Sequence, residues 1–352
     1  MPRLTAGGPH YYTLRPDSTV GGEVYERELL ERLPAHGIDL ELGLPRDHAV
    51  ASPPPGWRIT VLRHRLGLHW VVAPLVFTPY VLRLARRVDL LRGHSVRHTG
   101  PALLLGRALA RSRVPVVLHH HHLYPRWARL EAAIARRADA VVTVSEHSRR
   151  ELVAAGVPAA KVHVVHEGIA TPPPTGGWPD AWPGPGLRLL QLGRLEPRKR
   201  PELAIETLRR LDAPAALVVA GEGPREALEA RAAGLPVRFT GRVPEADKWR
   251  LYDSADVLLF GSTLEGFGLV VAEAQSRGVP VVAAAGTATE EALVDGTTGV
   301  LAPPDPDAFA AAVRSVAGRR EEMGAAAREF ARRFDWDACA AAVADLYRGL
   351  VP

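Results

Sequence analysis

Residues 262–274 read Ser-Thr-Leu-Glu-Gly-Phe-Gly-Leu-Val-Val-Ala-Glu-Ala. Two carboxylates, Glu265 and Glu273, enclose seven residues, and Gly266 and Gly268 lie just after the first. An apolar run at 257–260 comes before this segment and a helical pattern at 268–277 follows, so the glycines fall where a buried strand turns into a helix. Glycines there let a ligand approach the backbone closely. The amides of Phe267, Gly268, Leu269 and Val270 would then point from a helix N-terminus, which is a ready anion site. Carboxylates accept hydrogen bonds from paired hydroxyls, as on a sugar or a ribose. Alone, Glu265 reads as charge compensation at a helix start and Glu273 as a surface charge. Their pairing with the glycines points to a ligand that carries phosphate and hydroxyls.

A second cluster, Gly193-Arg194-Leu195-Glu196-Pro197-Arg198-Lys199-Arg200, follows an apolar run at 187–192. Arg194 and Lys199 could hold a diphosphate from two sides. Arg198 and Arg200 read as solvated loop charges. A third feature, His119-His120-His121-His122, follows a run at 114–118. Adjacent strand residues alternate faces, so the four imidazoles cannot converge on one ion, and no metal site is expected there.

The elements that must position these residues alternate regularly. Apolar runs at 187–192, 215–220, 237–240, 256–260, 279–284 and 299–302 are separated by helical patterns such as 201–211 and 224–233. Unbroken Val/Leu/Ala runs suit strands buried on both faces, and strand–helix alternation implies a parallel sheet. The first half repeats this grammar, with runs at 59–62, 114–118, 140–144 and 162–165 and helical patterns at 23–33, 70–87, 102–110, 126–137 and 147–155. Residues 169–186 are rich in Pro and Gly and read as a linker. The expected organisation is a first α/β domain over 1–170, a linker over 171–186, a second α/β domain over 187–335, and a C-terminal helix over 336–352 that packs back on the first. Ligands in open α/β sheets bind at the carboxyl ends of strands, so a cleft between the two domains is the expected site.

As an ordered set, these motifs resemble the retaining glycosyltransferases of family GT4, which have the two-Rossmann GT-B fold. Glu265 and Glu273 are similar to the EX7E motif of that family, and Arg194 and Lys199 to its G-R-L-x-x-x-K motif. Gly221-Glu222-Gly223-Pro224, Gly241-Arg242-Val243, residues 295–304 and Val144-Ser145-Glu146-His147-Ser148 are further matches, and Gly21-Gly22-Glu23 resembles its N-terminal Gly-rich loop. The resemblance implies roles. Arg194 and Lys199 would bind the diphosphate of a nucleotide-sugar donor, and Glu273 would hold the ribose. Glu265 and the amides of Phe267, Gly268, Leu269 and Val270 would hold the transferred sugar and phosphate. Backbone near Arg242 and Val243 would touch the base, and Gly21 and Gly22 would admit the donor phosphate. The family places a His at the strand end facing the sugar, and spacing from Pro115 selects His121 first and His120 second. His94 loosely matches another family His. No metal or other cofactor is implied, because cationic side chains and amides offset the leaving-group charge. The chain departs from the family at Pro9-His10-Tyr11-Tyr12-Thr13-Leu14, a polar version of its first strand. It departs again at Gly286-Thr287-Ala288-Thr289-Glu290, and at His166-Glu167-Gly168, where the family often has P-N-G.

Composition narrows the alternatives. With 352 residues, 47% of them hydrophobic and 24% charged, the chain can bury two cores. The single Cys339 excludes an internal disulfide and fits a reducing, cytoplasmic setting. The first residues carry no apolar leader. The formal charge of +5 resides in the first half, where residues 1–175 carry 23 Lys+Arg against 14 Asp+Glu. Such a field favours an anionic partner. A nucleic-acid-binding module is disfavoured, because aromatics are few and no recognition motif occurs. A dehydrogenase lacks its Gly-rich fingerprint. Residues 67–90 mix Trp70, Phe77 and Tyr80 with Arg83, Arg86 and Arg87, so peripheral contact with the inner membrane face and a lipid acceptor form the alternative to a small-molecule or glycan acceptor. A core helix with a wet Arg face is the preferred reading of this stretch, since Pro74 and Pro79 break the periodicity.

Overall fold

A computed structural model describes residues 2–10, 21–46, 53–62, 70–121 and 125–352. They form two compact units, one of residues 1–168 and 335–352 and the other of residues 169–334.

The first unit is built on a parallel seven-stranded sheet: β1 (Leu4–Pro9), β2 (Ile38–Pro45), β3 (Trp57–Leu62), β4 (Leu90–His94), β5 (Val116–His120), β6 (Ala140–Thr143) and β7 (Val162–Val164). Their spatial order is β3-β2-β1-β4-β5-β6-β7. The chain therefore works outward from β1 in one direction, then returns to begin the other side at β4. Helices α1 (Gly21–Arg32), α2 (Ala73–Leu84), α3 (Val96–Leu109), α4 (Ala128–Ala135) and α5 (Glu146–Ala154) supply the crossovers.

The first strand differs from the sequence expectation. It is Leu4–Pro9, and of residues 9–14 only Pro9 and His10 are among those described. The glycines that hide this strand in the sequence are demanded by packing. A Cβ on Gly7 would lie 2.9 Å from the carbonyl oxygen of Glu41, and one on Gly8 would overlap that of Arg92. Small side chains let β1 fit between its neighbours.

α2 buries Ala73, Phe77, Tyr80, Val81 and Leu84 and leaves Leu75 and Arg83 exposed; Arg86 and Arg87, exposed in the turn that follows, extend this basic end, with Arg87 paired to Glu41 at 2.5 Å. It is a core helix whose exposed side carries Arg83 and Leu75, with Val71 and Val72 exposed just before it. Residues 67–69 lie outside those described. No helix among the described residues is long and apolar enough to cross a membrane.

The second unit holds a parallel six-stranded sheet: β8 (Leu187–Leu192), β9 (Ala215–Ala220), β10 (Val237–Gly241), β11 (Val257–Phe260), β12 (Val281–Ala284) and β13 (Gly299–Ala302), in the order β10-β9-β8-β11-β12-β13. Helices α6 (Pro201–Arg209), α7 (Glu226–Arg231), α8 (Glu245–Ser254), α9 (Leu269–Ser276), α10 (Pro306–Gly318) and α11 (Arg320–Ala331) accompany it. Its core is Leu, Val, Ala and Ile around Phe309 and Met323. The Pro/Gly-rich segment belongs to this unit. Thr175 bonds Asp253 through its amide and its hydroxyl, both at 2.8 Å, and Trp182 is buried with its indole N–H on the Leu189 carbonyl.

The last helix, α12 (Trp336–Leu350), belongs to the first unit and packs on α1. Gly8→Ala is expected to destabilise the first unit by about 3 kcal/mol or more, because backbone rather than a movable side chain blocks the new methyl. A chemical-denaturation midpoint close to that of the unmodified protein would contradict this.

Candidate functional site

In open parallel sheets ligands bind beyond the carboxyl ends of the two strands where the order reverses. In the second unit these strands are β8 and β11. The loops that follow them carry Arg194 and Lys199 on one side and Glu265 on the other, and they are stapled together. Lys199 Nζ bonds Glu265 Oε1, Arg198 Nη1 donates to the Leu264 carbonyl at 2.9 Å, and the Thr263 amide donates to the Arg198 carbonyl at 2.9 Å. Arg194 is about half exposed, with Nη1 2.6 Å from Glu196 Oε1.

Arg198 and Arg200 are not solvated loop charges. Arg198 also holds Glu196 at 2.8 Å, and Arg200 donates to the Pro304 carbonyl at 2.7 Å. A loop that must present two cations to a ligand uses the neighbouring two to hold its own shape.

The helix after β11, α9, starts one residue later than expected. Gly268 is the residue before α9, at φ +109°, a left-handed conformation that favours glycine. Phe267 lies outside the helix and is buried, its ring 5.0 Å from that of Phe334. No side chain among the described residues caps the helix, so the amides of Leu269 and Val270 open it. Glu273 lies inside α9 with both carboxylate oxygens engaged: Lys248 Nζ is 2.8 Å from Oε1, and Tyr252 donates its hydroxyl to Oε2 at 3.0 Å. Burial opposes the Lys248 charge, yet Glu273 and Glu245 outweigh it and hold its pKa above the usual lysine value. Burial, reinforced by Glu273, pushes the Tyr252 phenol far up, so it remains a donor.

Lys248 and Tyr252 were not singled out from the sequence. Their i, i+4 spacing on α8 puts them on one helix face, and Lys248 is one of only three lysines in the chain. The turn that begins α8 carries exposed Arg242 and half-buried Val243.

In the first unit the order reverses between β1 and β4. Here α1 begins at Gly21, and Gly22 packs against imidazoles: a Cβ on Gly22 would lie 3.4 Å from His94 Nε2 and 4.0 Å from His121 Cδ2. Behind them lies a network that sequence reasoning missed. Glu26 is fully buried and meets Arg92 through two contacts, Nη1–Oε1 and Nη2–Oε2, the second at 2.9 Å. His94 Nδ1 lies 3.1 Å and His10 Nε2 3.3 Å from the same carboxylate. Burial opposes the Glu26 charge, but Arg92 and His94 prevail and hold its pKa well below the ordinary carboxylate value.

The histidine run divides by role. His119 is spent in packing, with Nδ1 2.9 Å from the Tyr25 hydroxyl and Nε2 2.7 Å from that of Tyr347. His120 ends β5 on the opposite face of the strand from His119. His121 stands just past the strand, its Nδ1 3.0 Å from Glu167 Oε1 and its ring 4.9 Å from that of His94. His122 lies outside the described residues. No group of His, Cys, Asp and Glu among the described residues could hold a metal.

Burial holds the pKa of His94 below, and that of His119 well below, the usual histidine value. The unfolded chain titrates near 6.5, so this stability is complete above about pH 6.5 and is lost as pH falls from there towards the folded values. All fourteen histidines precede residue 167 and belong to the first unit. Peptide-resolved hydrogen exchange, corrected for intrinsic rates, is expected to show β5 and α12 losing protection between pH 7 and 5. β9 and β11 should keep theirs over the same range.

Comparison with known proteins places this architecture. Residues 20–171 match the family model described as Glycosyltransferase Family 4, and residues 180–334 the one described as Glycosyl transferases group 1. The chain is 41% identical over 168 residues to a D-inositol 3-phosphate glycosyltransferase of Geodermatophilus obscurus, covering 42% of this chain and 37% of that protein. It is 35% identical over 247 residues to one of Xylanimonas cellulosilytica, covering 62% and 58%. The chain thus spans less than two thirds of the length of these relatives. Among solved structures, Alr3699/HepE of Anabaena in complex with UDP and glucose superposes with a TM-score of 0.75 at 18% identity, covering 99% of this chain and all of that one. Two family models that together span most of the sequence, on two parallel sheets with interleaved helices, make the chain a member of glycosyltransferase family 4 with the GT-B fold.

Proposed function

We propose that the protein is a retaining glycosyltransferase that moves a sugar from a nucleotide-diphosphate sugar to a hydroxyl acceptor. The observation that carries this reading is the convergence of Arg194, Lys199, Glu265 and the uncapped start of α9 at the β8–β11 reversal, with Glu273 one and a half turns into the helix. Two cations and free amides suit a diphosphate, and two carboxylates suit hydroxyls. The UDP bound to Alr3699/HepE supports UDP as the first choice of nucleotide, with GDP and dTDP as the others to test.

In this mechanism the bond from the anomeric carbon to the phosphate oxygen breaks. The acceptor oxygen bonds that carbon on the same face, and its proton passes to the departing phosphate. The protein positions the partners and stabilises the charge that develops on the diphosphate. Arg194, Lys199 and the amides of Leu269 and Val270 do this without a metal, so chelator should leave the rate unchanged. Glu273 accepts from the ribose. Its oxygens already take hydrogen bonds from Lys248 and Tyr252, which orient it while leaving lone pairs for a ligand. Arg242 and Val243 border the base.

The acceptor is a small molecule or glycan, and the work is cytoplasmic. The burial of Phe77 and Tyr80 in the core of the first unit, rather than at the surface with the arginines, favours this over a lipid acceptor. The basic first half favours an acceptor that carries negative charge. A screen of UDP-, GDP- and dTDP-sugar consumption tests the reading, and no turnover with any donor would overturn it.

Replacing Arg194 or Lys199 by Ala is expected to weaken nucleotide binding roughly 10- to 150-fold, the loss of a charge-assisted bond. Unchanged calorimetric affinity in both variants would remove these residues from the diphosphate site. Glu273→Gln should act mainly on donor affinity and Glu265→Gln mainly on turnover; the reverse division would exchange their roles.

A further inference from the structure

The turn after β12 carries a hydroxyl that neither the proposed transfer nor the motif comparison uses. Residues 286–290 read Gly-Thr-Ala-Thr-Glu, where the family resemblance leads one to expect G-G-x-P-E, so Thr289 stands in the place of a proline. Thr289 is fully buried, and its Oγ1 has no hydrogen-bond partner among the described residues. It packs on Gly268, the residue before α9. Its Oγ1 lies 3.5 Å, and its Cγ2 3.7 Å, from the position a Cβ on Gly268 would take.

The backbone around Thr289 is fixed. Its amide donates to Thr287 Oγ1 at 3.2 Å, and its carbonyl accepts from the Ala292 amide at 3.0 Å. The Gly286 amide donates to Glu290 Oε1 at 2.5 Å. Gln275 of α9 donates its side-chain amide to the Ala292 carbonyl, which ties the turn to the helix it faces. At the start of α9 the amides of Val271 and Ala272 both reach the Gly268 carbonyl, at 2.9 and 3.3 Å, and no side chain among the described residues caps the helix. The amides of Leu269 and Val270 are the ones left to meet an anion.

Keeping a hydroxyl buried and unpaired is unfavourable. A turn that served packing alone would be better built with an apolar side chain at this position. A hydroxyl offers one donor and two acceptor lone pairs, and an anion uses only the donor. We propose that Thr289 is a diphosphate-binding residue, its hydroxyl donating to an oxygen of the phosphate seated on the amides of Leu269 and Val270. It adds a neutral donor to the two cations, Arg194 and Lys199. This assignment rests on the diphosphate placement argued above, and not on the identity of the sugar or the acceptor.

Thr289→Val keeps the branched shape and removes the hydroxyl. Two measurements should then move in opposite senses. The chemical-denaturation midpoint without ligand should stay the same or rise, because an unpaired buried hydroxyl has been removed. Calorimetric affinity for inorganic pyrophosphate should fall about tenfold, the loss of a hydrogen bond to a charged group. Thr289→Ser, which restores the hydroxyl, should keep most of that affinity. A folded Thr289→Val that binds pyrophosphate as tightly as the unmodified protein would overturn the proposal. So would a lowered midpoint in that variant, which would make the hydroxyl a bond of the fold itself, or an unmodified protein that binds no pyrophosphate. Should Thr289→Val fail to fold, the smaller Thr289→Ala is compared with Thr289→Ser by pyrophosphate affinity alone, and equal affinities would overturn the proposal. Nucleotide-sugar consumption separates this assignment from the activity. A tenfold loss of pyrophosphate affinity in a protein that consumes no nucleotide sugar would leave the Thr289 contact standing and remove the transferase reading. Turnover with unchanged pyrophosphate affinity in Thr289→Val would do the reverse.

Discussion

A guanidinium cannot be left inside a protein without a carboxylate, and the first unit is arranged around that constraint. Arg92 sits in β4 with almost no exposure and brings a full charge into the centre of the sheet. Glu26 answers it from α1, and Tyr347 accepts from its Nε at 3.1 Å from α12. One side chain thereby fixes two helices against the sheet. Removing either charge would strand the other, which is far more damaging than replacing the pair together. The same carboxylate reaches His94 and His10, so the groups at the β1–β4 reversal inherit their orientation from this pair.

The second unit solves a related problem beyond its β8–β11 reversal. Both glutamates of the 265–273 segment are held by lysine, Glu265 by Lys199 and Glu273 by Lys248. The chain has 41 arginines and three lysines, so two of its three lysines stand here against a strong compositional bias. An ammonium is a compact point charge on a flexible stem, whereas a guanidinium is a planar fork. A lysine can therefore turn between neighbouring acceptors by small rotations. The arginines of the same loop, Arg198 and Arg200, are committed to backbone carbonyls instead.

Most of the second unit was legible in the sequence because its strands are unbroken runs of Val, Leu and Ala: β8, β9 and β13 fall on the runs at 187–192, 215–220 and 299–302. The first unit was less so. β1 reads Leu-Thr-Ala-Gly-Gly-Pro because its neighbours crowd it, and crowding cannot be seen in one chain segment. β2 alternates Ile, Leu, Leu and Leu with Asp, Glu and Gly, yet buries both faces; β4 contains Arg92, whose charge is answered from a helix 66 residues earlier. Arg194, Lys199 and Glu265 stand out in the sequence because local spacing carries them, and the structure brings their loops together. Lys248, Tyr252 and Glu26 were missed because each acts through a partner distant in sequence.

The hydroxyl of Tyr347, which meets both Arg92 and His119, lies near the end of the chain, while β1 lies at its beginning. A ribosome therefore delivers the whole second unit, residues 169–334, before it delivers the residues that finish the first. Domains generally fold as units in order of emergence, but here the earlier one must wait for the later. During that interval Arg92 and His119 lack one of their partners, and α1 lacks the helix that covers it. A polypeptide that stops before residue 347 would keep the second unit and leave the first without the helix that covers α1.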